Sequence, residues 1–568
     1  MKHIYWYLPF LFILSMSSST FLQSQTIPYK VVSPLITQAS FGKIATKTDS
    51  TFVVAYMPPA IEFNFYLDVG KGIRSVAASK DHNTYMLAPQ SDNPGLQMKM
   101  LKEVIRRKVD AVILASHDPR SVAPLVKEAV DLGIVVVIVN SDTAEFSSPV
   151  HAIVGYKQRK GTQKLGDFVL SLATKDTSKV GIIEGAPGYH TNERVGGFLD
   201  AIKGSNLEVV SSLNGKWNTE GGNKAALEMF KSHPDITTVF AANDFEIIGV
   251  ASALRTLGID NVTLLGNDGD PAALKRIDEG KITATVNTNP VLIGQTAMQV
   301  TLDSLSRKFT GGFVETPTVI VDKNNVHKYW NPPRAVEGAN FSEIRVVSES
   351  LPDLVNEDGS GLYMDILHEI YSSKGIKVKL QIAPFARTEL MVKNKLADVM
   401  LGAYRGEIDE VIFPQWHYSE NIISVIYKNN TLTQWQGQNS LSGKRLLWVR
   451  KYNYDKYLLV PVKKNVHHNK RSMLGMLQKD RVDFILDNEF SLRKELKNSK
   501  QFLNSNDFYQ KDYQIKELMR LKLYLAFAYT NKGDEFSKIF DDEFAQLLAS
   551  GKLETLFNKW DTPFPFSQ

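Results

Sequence analysis

Between residues 51 and 290, short apolar runs alternate with amphipathic segments. Four of the apolar runs have the length and composition of β-strands: 51–57, 84–89, 110–116 and 134–140. Between them, apolar residues recur at helical spacing, as in the series i, i+3, i+4, i+7 and i+8 that starts at Val122. Strands that alternate with helices in this way predict parallel βαβ units, and hence an α/β fold.

The alternation restarts after a connector at 151–156. A helix at 161–173, a strand at 179–185 and a helix through Phe198 predict a second lobe of the same design. The alternating segment 281–290 would carry the chain back to the first lobe. Two lobes joined by crossing strands form a hinged cleft, which is a common place for a ligand.

Small polar residues stand where several predicted strands end. Asn140, Asn243 and Asp268 each follow an apolar run. Because ligands bind outside the carboxyl ends of parallel strands, we expect these three side chains to contact a ligand. Capping of the following helix is the alternative for Asn243, and Asp244 is the cap that we expect if Asn243 faces the ligand.

Five motifs in order carry a resemblance to a known family. They are FNFYLDVGKGI at 63–73, ERVGGF at 193–198, VFAAND at 239–244, VTLLGNDGDP at 262–271 and GKITATVNTNPVLIG at 280–294. Residues 50–325 resemble the type I periplasmic binding proteins of the ribose-binding kind. The resemblance implies two doubly wound lobes and a sugar or polyol held between them.

The resemblance also implies roles for seven residues. Phe65 and Tyr66 would stack on the ligand, and Asn140 would make a polar contact from the first lobe. Arg194 would clamp the ligand, and Asn243 and Asp268 would bind its hydroxyl groups. Thr288 would make a contact from the crossing strand. This set of side chains suits a polyol, because planar polar groups can form paired hydrogen bonds with neighbouring hydroxyls and aromatic rings can cover the C–H face of a sugar ring.

Alternatives remain for several of these residues. Arg194 would otherwise pair with Glu193 or Asp200, and Phe65 and Tyr66 would otherwise pack in the core. The family usually has Asp where this chain has Asn140, and Gln near Thr288. We therefore expect a ligand other than ribose, such as a different polyol, a furanosyl signal molecule or a small osmolyte.

A linker at 326–342, with Pro332 and Pro333, precedes a second series of strands and helices. Residues 343–563 resemble the type II periplasmic binding proteins related to solute-binding family 3, through the motifs GLYMDIL, NKLADVMLGAY, LSGKRL, KDRVDFIL and SGKLETLFNKW. The resemblance implies a second bilobal module and a polar, amino-acid-like solute.

The carboxylate-binding Arg of that second family has no clear counterpart, since Ile408 or Asp409 stands in its place. The candidate cleft residues of this region are Arg387, Arg405, Trp416 and Tyr418. Surface or packing roles are the alternatives for these four residues, and a docking function is the alternative for the whole region.

The N-terminus predicts export. Lys2 and His3 precede an apolar run at 4–16 and small polar residues up to Ser24, which is the pattern of a signal peptide spanning 1–24. An uncleaved anchor is the alternative. Residues 25–49 are interpreted as an N-terminal linker, and the mature chain is expected in the periplasm of a Gram-negative envelope.

Composition and motifs narrow the function. The 568 residues carry a net charge of +5 with no basic block, which argues against nucleic acid, and the absence of cysteine excludes disulfides and Cys-ligated zinc. No nucleophile elbow, P-loop, HExxH or kinase signature is present. We expect a non-catalytic receptor, without cofactor or metal, that presents its ligand to a membrane sensor kinase or an ABC permease.

Two other functions stay open. The first is a sensory or interaction subunit in which one or both clefts serve for docking. The second is a remote one, a glycosidase that uses Asp244 with Asp268 or Glu246 as a carboxylate pair.

Overall fold

A computed structural model describes residues 27–44, 51–89, 93–116, 119–141, 146, 148–172, 178–330, 340–408, 410–450, 452, 454–467, 470–502 and 512–566. The predicted signal peptide at 1–24 lies outside these residues. We call residues 27–330 the N-terminal unit and residues 340–566 the C-terminal unit. No helix within the described residues is both long enough and apolar enough to cross a lipid bilayer.

The N-terminal unit alternates strands and helices. Its strands are β1 (Val31–Ser33), β2 (Val53–Met57), β3 (Asn83–Met86), β4 (Ala111–Leu114), β5 (Val135–Val139), β6 (Ala152–Gly155), β7 (Ser178–Glu184), β8 (Leu207–Asn214), β9 (Ile236–Ala241), β10 (Thr263–Asp268), β11 (Ala284–Asn287), β12 (Gly312–Glu315) and β13 (Val319–Asp322). Its helices are α1 (Asn64–Ser79), α2 (Pro94–Arg106), α3 (Pro119–Asp131), α4 (Gln158–Leu172), α5 (Tyr189–Ile202), α6 (Thr219–Ser232), α7 (Asp244–Leu257), α8 (Pro271–Asp278) and α9 (Pro290–Leu305).

These elements form two lobes. The sheet of lobe 1 has the order β1-β12-β6-β5-β4-β2-β3, and that of lobe 2 has the order β13-β11-β10-β9-β7-β8. The strands are parallel apart from the antiparallel pairs β1–β12 and β11–β13. Strand β5 is buried along its whole length because helices cover both faces of the sheet, as its unbroken apolar sequence predicts. The α/β prediction is thus confirmed for this unit.

Crossing segments join the lobes. In the described chain, β6 leads from lobe 1 to α4 in lobe 2, β11 leads back to α9, and β12 leads to β13. Helices α1 and α9 pack closely at two glycines: a Cβ at Gly72 would lie 2.0 Å from the Val291 carbonyl oxygen, and one at Gly294 would lie 1.9 Å from that of Val69. This close packing fixes the start of α1 beside the hinge.

The interpretation of residues 25–49 as a linker needs a correction. Strand β1 pairs with β12 at the edge of the first sheet, and the Tyr29 hydroxyl donates to Asp303 at 2.8 Å. Leu35 and Ala39 are buried in the core of lobe 1. Residues 27–44 therefore belong to lobe 1, and β1 escaped prediction because three residues are too few to show a periodic pattern.

The C-terminal unit is also α/β. Its strands are β14 (Glu343–Ser348), β15 (Lys377–Ile382), β16 (Val399–Ala403), β17 (Val411–Ile412), β18 (Ser419–Lys428), β19 (Arg445–Val449), β20 (Lys463–His467), β21 (Phe484–Asn488) and β22 (Tyr513–Ala528). Its helices are α10 (Leu362–Ser372), α11 (Phe385–Lys393), α12 (Lys470–Gln478), α13 (Glu489–Phe502), α14 (Asn531–Ala549) and α15 (Lys552–Lys559).

A single mixed sheet runs through this unit in the order β15-β14-β16-β22-β18-β21-β19-β20, with β17 also on β22. The last part of β22 pairs with β16, and most of its length pairs with β18. Separate apolar cores lie on the two halves of the sheet, one under α10, α14 and α15 and others around β19 and β21. Strand β22 therefore connects two halves that are packed separately.

Candidate functional site

The strand ends of lobes 1 and 2 enclose a cavity. It holds about 420 Å³ of empty space, including the solvent at its mouth. The residues that line it are Phe63, Phe65, Tyr66, Asn140, His190, Arg194, Trp217, Asn243, Phe245 and Asp268. Six of the seven side chains expected at the cleft are among them.

The wall contributed by lobe 1 is built on Tyr66 and Asn140. Tyr66 lies in the first turn of α1, where its carbonyl accepts a hydrogen bond from the Tyr56 hydroxyl at 2.9 Å. Asn140 follows β5 and donates from Nδ2 to the Tyr66 hydroxyl at 3.1 Å. Its Oδ1 is buried and has no hydrogen-bond partner within the described structure. Since a buried acceptor is costly to leave unpaired, this oxygen is suited to receive a ligand hydroxyl.

Phe65 packs against Tyr66 edge to face, with the ring centroids 5.0 Å apart. Both side chains are buried and also contact the core of lobe 1. The two alternatives considered for these aromatics, cleft and core, therefore hold together in this structure.

The wall contributed by lobe 2 is built on an ion pair between Arg194 and Asp268. Arg194 Nη1 lies 3.1 Å from Asp268 Oδ1 and also donates to the Ala242 carbonyl at 2.9 Å. Arg194 Nε donates to Gln158 Oε1 at 3.1 Å. These bonds fix the guanidinium at the hinge side of the cavity.

The alternative partners of Arg194 are bound elsewhere. Arg159 on α4 approaches Glu193 at 3.9 Å and Asp200 at 2.6 Å. Arg194 instead points inward and stacks under Trp217, its guanidinium carbon 5.4 Å from the ring. The structure thus directs Arg194 toward the cavity rather than along its own helix.

Buried carboxyl groups surround this ion pair. Burial raises the pKa of Asp268 to about 6, an increase that Arg194 partly offsets. Burial and then the charge of Asp268 raise the pKa of Asp244 to about 8. Glu246 is fully buried, and burial raises its pKa strongly. Lobe 2 therefore places carboxyl groups with raised pKa values in the cavity wall, at Asp268, and behind it, at Asp244 and Glu246.

Asn243 has two functions, and the expected cap is wrong. Its Oδ1 accepts from the Glu246 N–H at 2.8 Å, so Asn243 rather than Asp244 caps α7. Its Nδ2 donates to the Trp217 carbonyl at 3.2 Å, and the side chain still lines the cavity. Asp244 instead accepts from the backbone of Gly269 and Asp270, at 2.8 and 2.7 Å, and so ties the loop after β10 to α7.

Thr288 is placed differently from its expected position. Its side chain is fully buried, and its hydroxyl donates to the Asp268 carbonyl at 2.9 Å. It is not among the residues that line the cavity. The correction has a simple physical reason: the crossing strand turns Thr288 behind Asp268, so it supports the wall instead of forming it.

Four lining residues were not proposed as ligand contacts: Phe63, His190, Trp217 and Phe245. Trp217 lies in the loop after β8 with a left-handed backbone, φ 61°, and no periodic pattern marks it. His190 Nδ1 is 3.0 Å from Gln158 Oε1, in the first turn of α5. In the sequence, His190 lies in a predicted loop, where a histidine is usually solvated. Phe63 and Phe245 each lie two residues from an expected contact, Phe65 and Asn243, and this proximity is the signal that could have identified them.

The four candidates in the C-terminal unit have different surroundings. Arg387 is exposed on α11. Tyr418 is buried in the core, where its hydroxyl accepts from the Gly402 N–H at 2.9 Å. Trp416 packs against Phe544, with 6.1 Å between ring centroids.

Arg405 is the fourth candidate, and it points away from its own unit. It is buried, and its Nη1 donates to the Glu62 carbonyl of the N-terminal unit at 3.2 Å. The amino-acid-type cleft stays a prediction, and in this structure these side chains lie in packing contacts, at the surface or against the other unit.

No group of three or more His, Asp or Glu side chains in the described residues is arranged to hold a metal ion. The titratable groups at the cavity are instead paired with arginine, amide or backbone partners, as described above.

Comparisons with known proteins match the N-terminal unit. The family model described as "Periplasmic binding protein domain" matches residues 54–308. The D-ribose/D-allose-binding protein of Pseudomonas aeruginosa is 32% identical over 235 residues, which are 40% of this chain and 73% of that protein. The ribose import binding protein of Bacillus subtilis is 28% identical over 267 residues, 47% of this chain and 86% of that protein.

Among solved structures, the Caulobacter myo-inositol binding protein bound to myo-inositol is 23% identical, covers 50% of this chain and 97% of its own, and superposes with a TM-score of 0.46. The residues that the family model matches span the two lobes that enclose the cavity. Through residues 54–308, the chain belongs to the periplasmic binding protein family.

Proposed function

We propose that the protein is an exported, non-catalytic receptor that binds a sugar or polyol between lobes 1 and 2. The observation that carries this proposal is the combination of aromatic rings with the Arg194–Asp268 ion pair and the unpaired Asn140 oxygen in one cavity. Aromatic rings suit the C–H face of a sugar ring, and the polar groups suit its hydroxyls.

The charge of the cavity favours a neutral ligand. Arg194 is balanced by Asp268, and a second buried charge without a partner would be costly. The relatives are named for ribose and allose, which are neutral sugars. Because Asn140 stands where the family usually has a carboxylate, a polyol other than ribose remains the preferred ligand.

For the C-terminal unit we propose the type II bilobal fold, over 343–563, after the linker predicted at 326–342, whose first residue, Val326, is buried in the core of lobe 2. The strand order β15-β14-β16-β22 and the long antiparallel pair β18–β22 support two half-units joined by crossing strands. The positions of Arg387, Arg405, Trp416 and Tyr418 favour a docking function for this unit over binding of an amino acid.

The expected compartment and partner belong to the same proposal. Export to the periplasm through residues 1–24 would bring the receptor to a membrane ABC permease or a sensor kinase. Loss of the gene would impair uptake of the ligand in the first case, and would abolish ligand-dependent gene regulation with unchanged uptake in the second.

Calorimetric titration of the full chain tests the ligand class. The panel would contain D-ribose, D-allose, D-galactose, myo-inositol and polar amino acids, with Asp268→Ala as the disabled variant. We expect at least one sugar or polyol to bind and Asp268→Ala to abolish that binding. Binding of amino acids alone, or sugar binding that survives Asp268→Ala unchanged, would contradict the proposal.

A further inference from the structure

One half of the C-terminal unit touches both lobes of the N-terminal unit. We call residues 343–418 and 523–566 the proximal half; it contains β14, β15, β16 and α14. Its contacts with lobe 1 come from the loop after β16, and its contacts with lobe 2 come from α14.

The contact with lobe 2 is electrostatic. Asp534 on α14 forms an ion pair with Lys275 on α8, and both side chains are about four-fifths buried, at 19% and 24% exposure. Asp542, two turns further along α14, lies 3.5 Å from Arg255 on α7. The basic ends of two lobe 2 helices thus face an acidic side of α14.

The contact with lobe 1 is made by Arg405 and Gly406. Arg405 donates to the Glu62 carbonyl at 3.2 Å while its guanidinium stacks on Tyr524, 4.6 Å from the ring centroid. Gly406, with φ +84°, packs so closely that a Cβ there would lie 3.0 Å from Leu67 Cδ2. Glu62 directly precedes Phe63, which lines the sugar cavity.

The two contact regions of the proximal half are bound to each other. Asp541 on α14 accepts from the backbone N–H groups of Gln415 and Trp416, at 2.8 and 3.1 Å. Arg405 donates to the Pro414 carbonyl in the same loop. Because α14 and this loop are joined, they would move as one body during any opening of the cleft.

The cavity is closed in this arrangement. Asn140 from lobe 1 and Arg194 from lobe 2 are each only 4% exposed. Separating the lobes would draw α8 away from α1. A single body attached to both would then lose either the Lys275–Asp534 contact or the Arg405–Glu62 contact.

We propose that the proximal half binds selectively to the closed form of the sugar cleft, because it docks on both lobes only when they are together. The segment that recognises closure is therefore part of the same chain. Since coupling between two binding events is reciprocal, docking of this half stabilises the closed cleft, and sugar in the cleft strengthens docking. The sugar part of this inference rests on the proposed function.

The absence of cysteine makes a labelling experiment direct. Spin labels at Leu132→Cys in lobe 1 and Leu199→Cys in lobe 2, both exposed positions, would report the distance between the lobes in the sugar-free full chain. Lys275→Glu replaces the attraction to Asp534 with repulsion. We expect it to shift the distance distribution away from that of the parent chain toward an open population.

Two further variants make the result specific. The charge swap Lys275→Glu with Asp534→Lys should restore the parent distribution. Lys224→Glu, which makes the same charge change at an exposed pair with Glu220 on α6, should leave it unaltered. Identical distributions for the parent, Lys275→Glu and Lys224→Glu would overturn the inference.

A sugar arm separates this inference from the proposed function. For a panel sugar that binds, Lys275→Glu should raise the dissociation constant about fivefold, which corresponds to the loss of an ion pair worth about 1 kcal/mol, and the charge swap should reverse the change. An unchanged dissociation constant would overturn the coupling while the sugar-receptor function stands. If none of the sugars binds, the proposed function fails, and the distance measurement still decides whether the proximal half holds the lobes together.

Discussion

Arg194 and Asp268 lie 3.1 Å apart inside the cleft of the N-terminal unit, with 5% and 9% of their side chains exposed. Each belongs to a different element, α5 and β10, so the pair joins a helix to a strand end. Breaking such a pair from one side leaves a buried charge without compensation. Arg194 and Asp268 therefore stabilise the fold and, by the proposal above, also bind the ligand.

Replacing Arg194 with Met should lower the stability of the fold and abolish ligand binding. We expect a loss of about 3 kcal/mol in the free energy of unfolding, because Asp268 would remain buried without its partner, together with loss of sugar binding. Chemical denaturation and calorimetry measure the two effects. The double variant Arg194→Met with Asp268→Asn should recover most of the stability but none of the binding, and recovery of both would contradict the role of the pair in recognition.

Trp217 should matter for affinity although it lies on a loop. Its ring lines the cavity and stacks on Arg194, so Trp217→Leu removes apolar cover from the ligand and support from the guanidinium. We expect sugar affinity to fall by about 2 kcal/mol, roughly thirtyfold. A calorimetric dissociation constant within a factor of two of the parent value would show that the ring does not contact the sugar.

Thr288→Val tests whether the crossing strand supports the wall or forms it. The variant keeps the shape of the side chain and removes the hydroxyl that donates to the Asp268 carbonyl. We expect a loss of about 1 kcal/mol in stability and a sugar affinity within about twofold of the parent. A much larger loss of affinity at unchanged stability would return Thr288 to the ligand contacts.

Asp244 should make stability depend on pH. Its pKa is about 8 in the folded chain against 3.8 for an ordinary Asp, so between these values the folded state holds a proton that the unfolded state has released. Stability is then fully present below the unfolded pKa and falls as the pH rises toward 8.

Asp244→Asn imitates the protonated form and should remove this contribution. The difference in unfolding free energy between parent and variant should change by about 2.6 kcal/mol between about pH 5 and about pH 7. Denaturation at both pH values measures it. A difference that is constant with pH would mean that Asp244 is ionised in the folded chain.

Variants at Arg387 and Tyr418 compare an exposed with a buried side chain of the C-terminal unit. Arg387→Ala, at an exposed position, should change the free energy of unfolding by less than about 0.5 kcal/mol. Tyr418→Phe should lower it by about 1 kcal/mol, because the Gly402 N–H loses its acceptor. The reverse order of the two effects would indicate that Arg387 is engaged in structure and Tyr418 is not.

Local pattern predicts the strand-end residues of the N-terminal cleft, whereas the roles of Phe65, Tyr66 and Arg194 follow from the family resemblance. Asn140 and Asp268 follow apolar runs, and the ends of parallel strands meet at one edge of a sheet. Their meeting in one cavity follows from that geometry. Trp217 could not be predicted in this way, because a loop residue with a left-handed backbone has neither the periodicity of a helix nor that of a strand.

The C-terminal unit shows a second limit of local pattern. Tyr418 stands two residues after Trp416 in a sequence without periodic pattern, and nothing there distinguishes a buried aromatic from one that faces a cleft. Arg405 makes its bond to a residue 343 positions earlier in the chain. Contacts between separately packed units depend on their docking, which hydrophobic periodicity does not encode.

Strand β1 affects the solubility of fragments that lack the N-terminus. By pairing with β12 it occupies hydrogen-bonding groups that would otherwise lie open along the rim of the first sheet, and open rims of this kind recruit strands from other molecules. A fragment that starts after residue 44 would keep every side chain that lines the cavity and yet be prone to aggregate. Recombinant versions of the two N-terminal lobes should therefore begin before Tyr29, and solubility across a series of N-terminal truncations would reveal where this protection is lost.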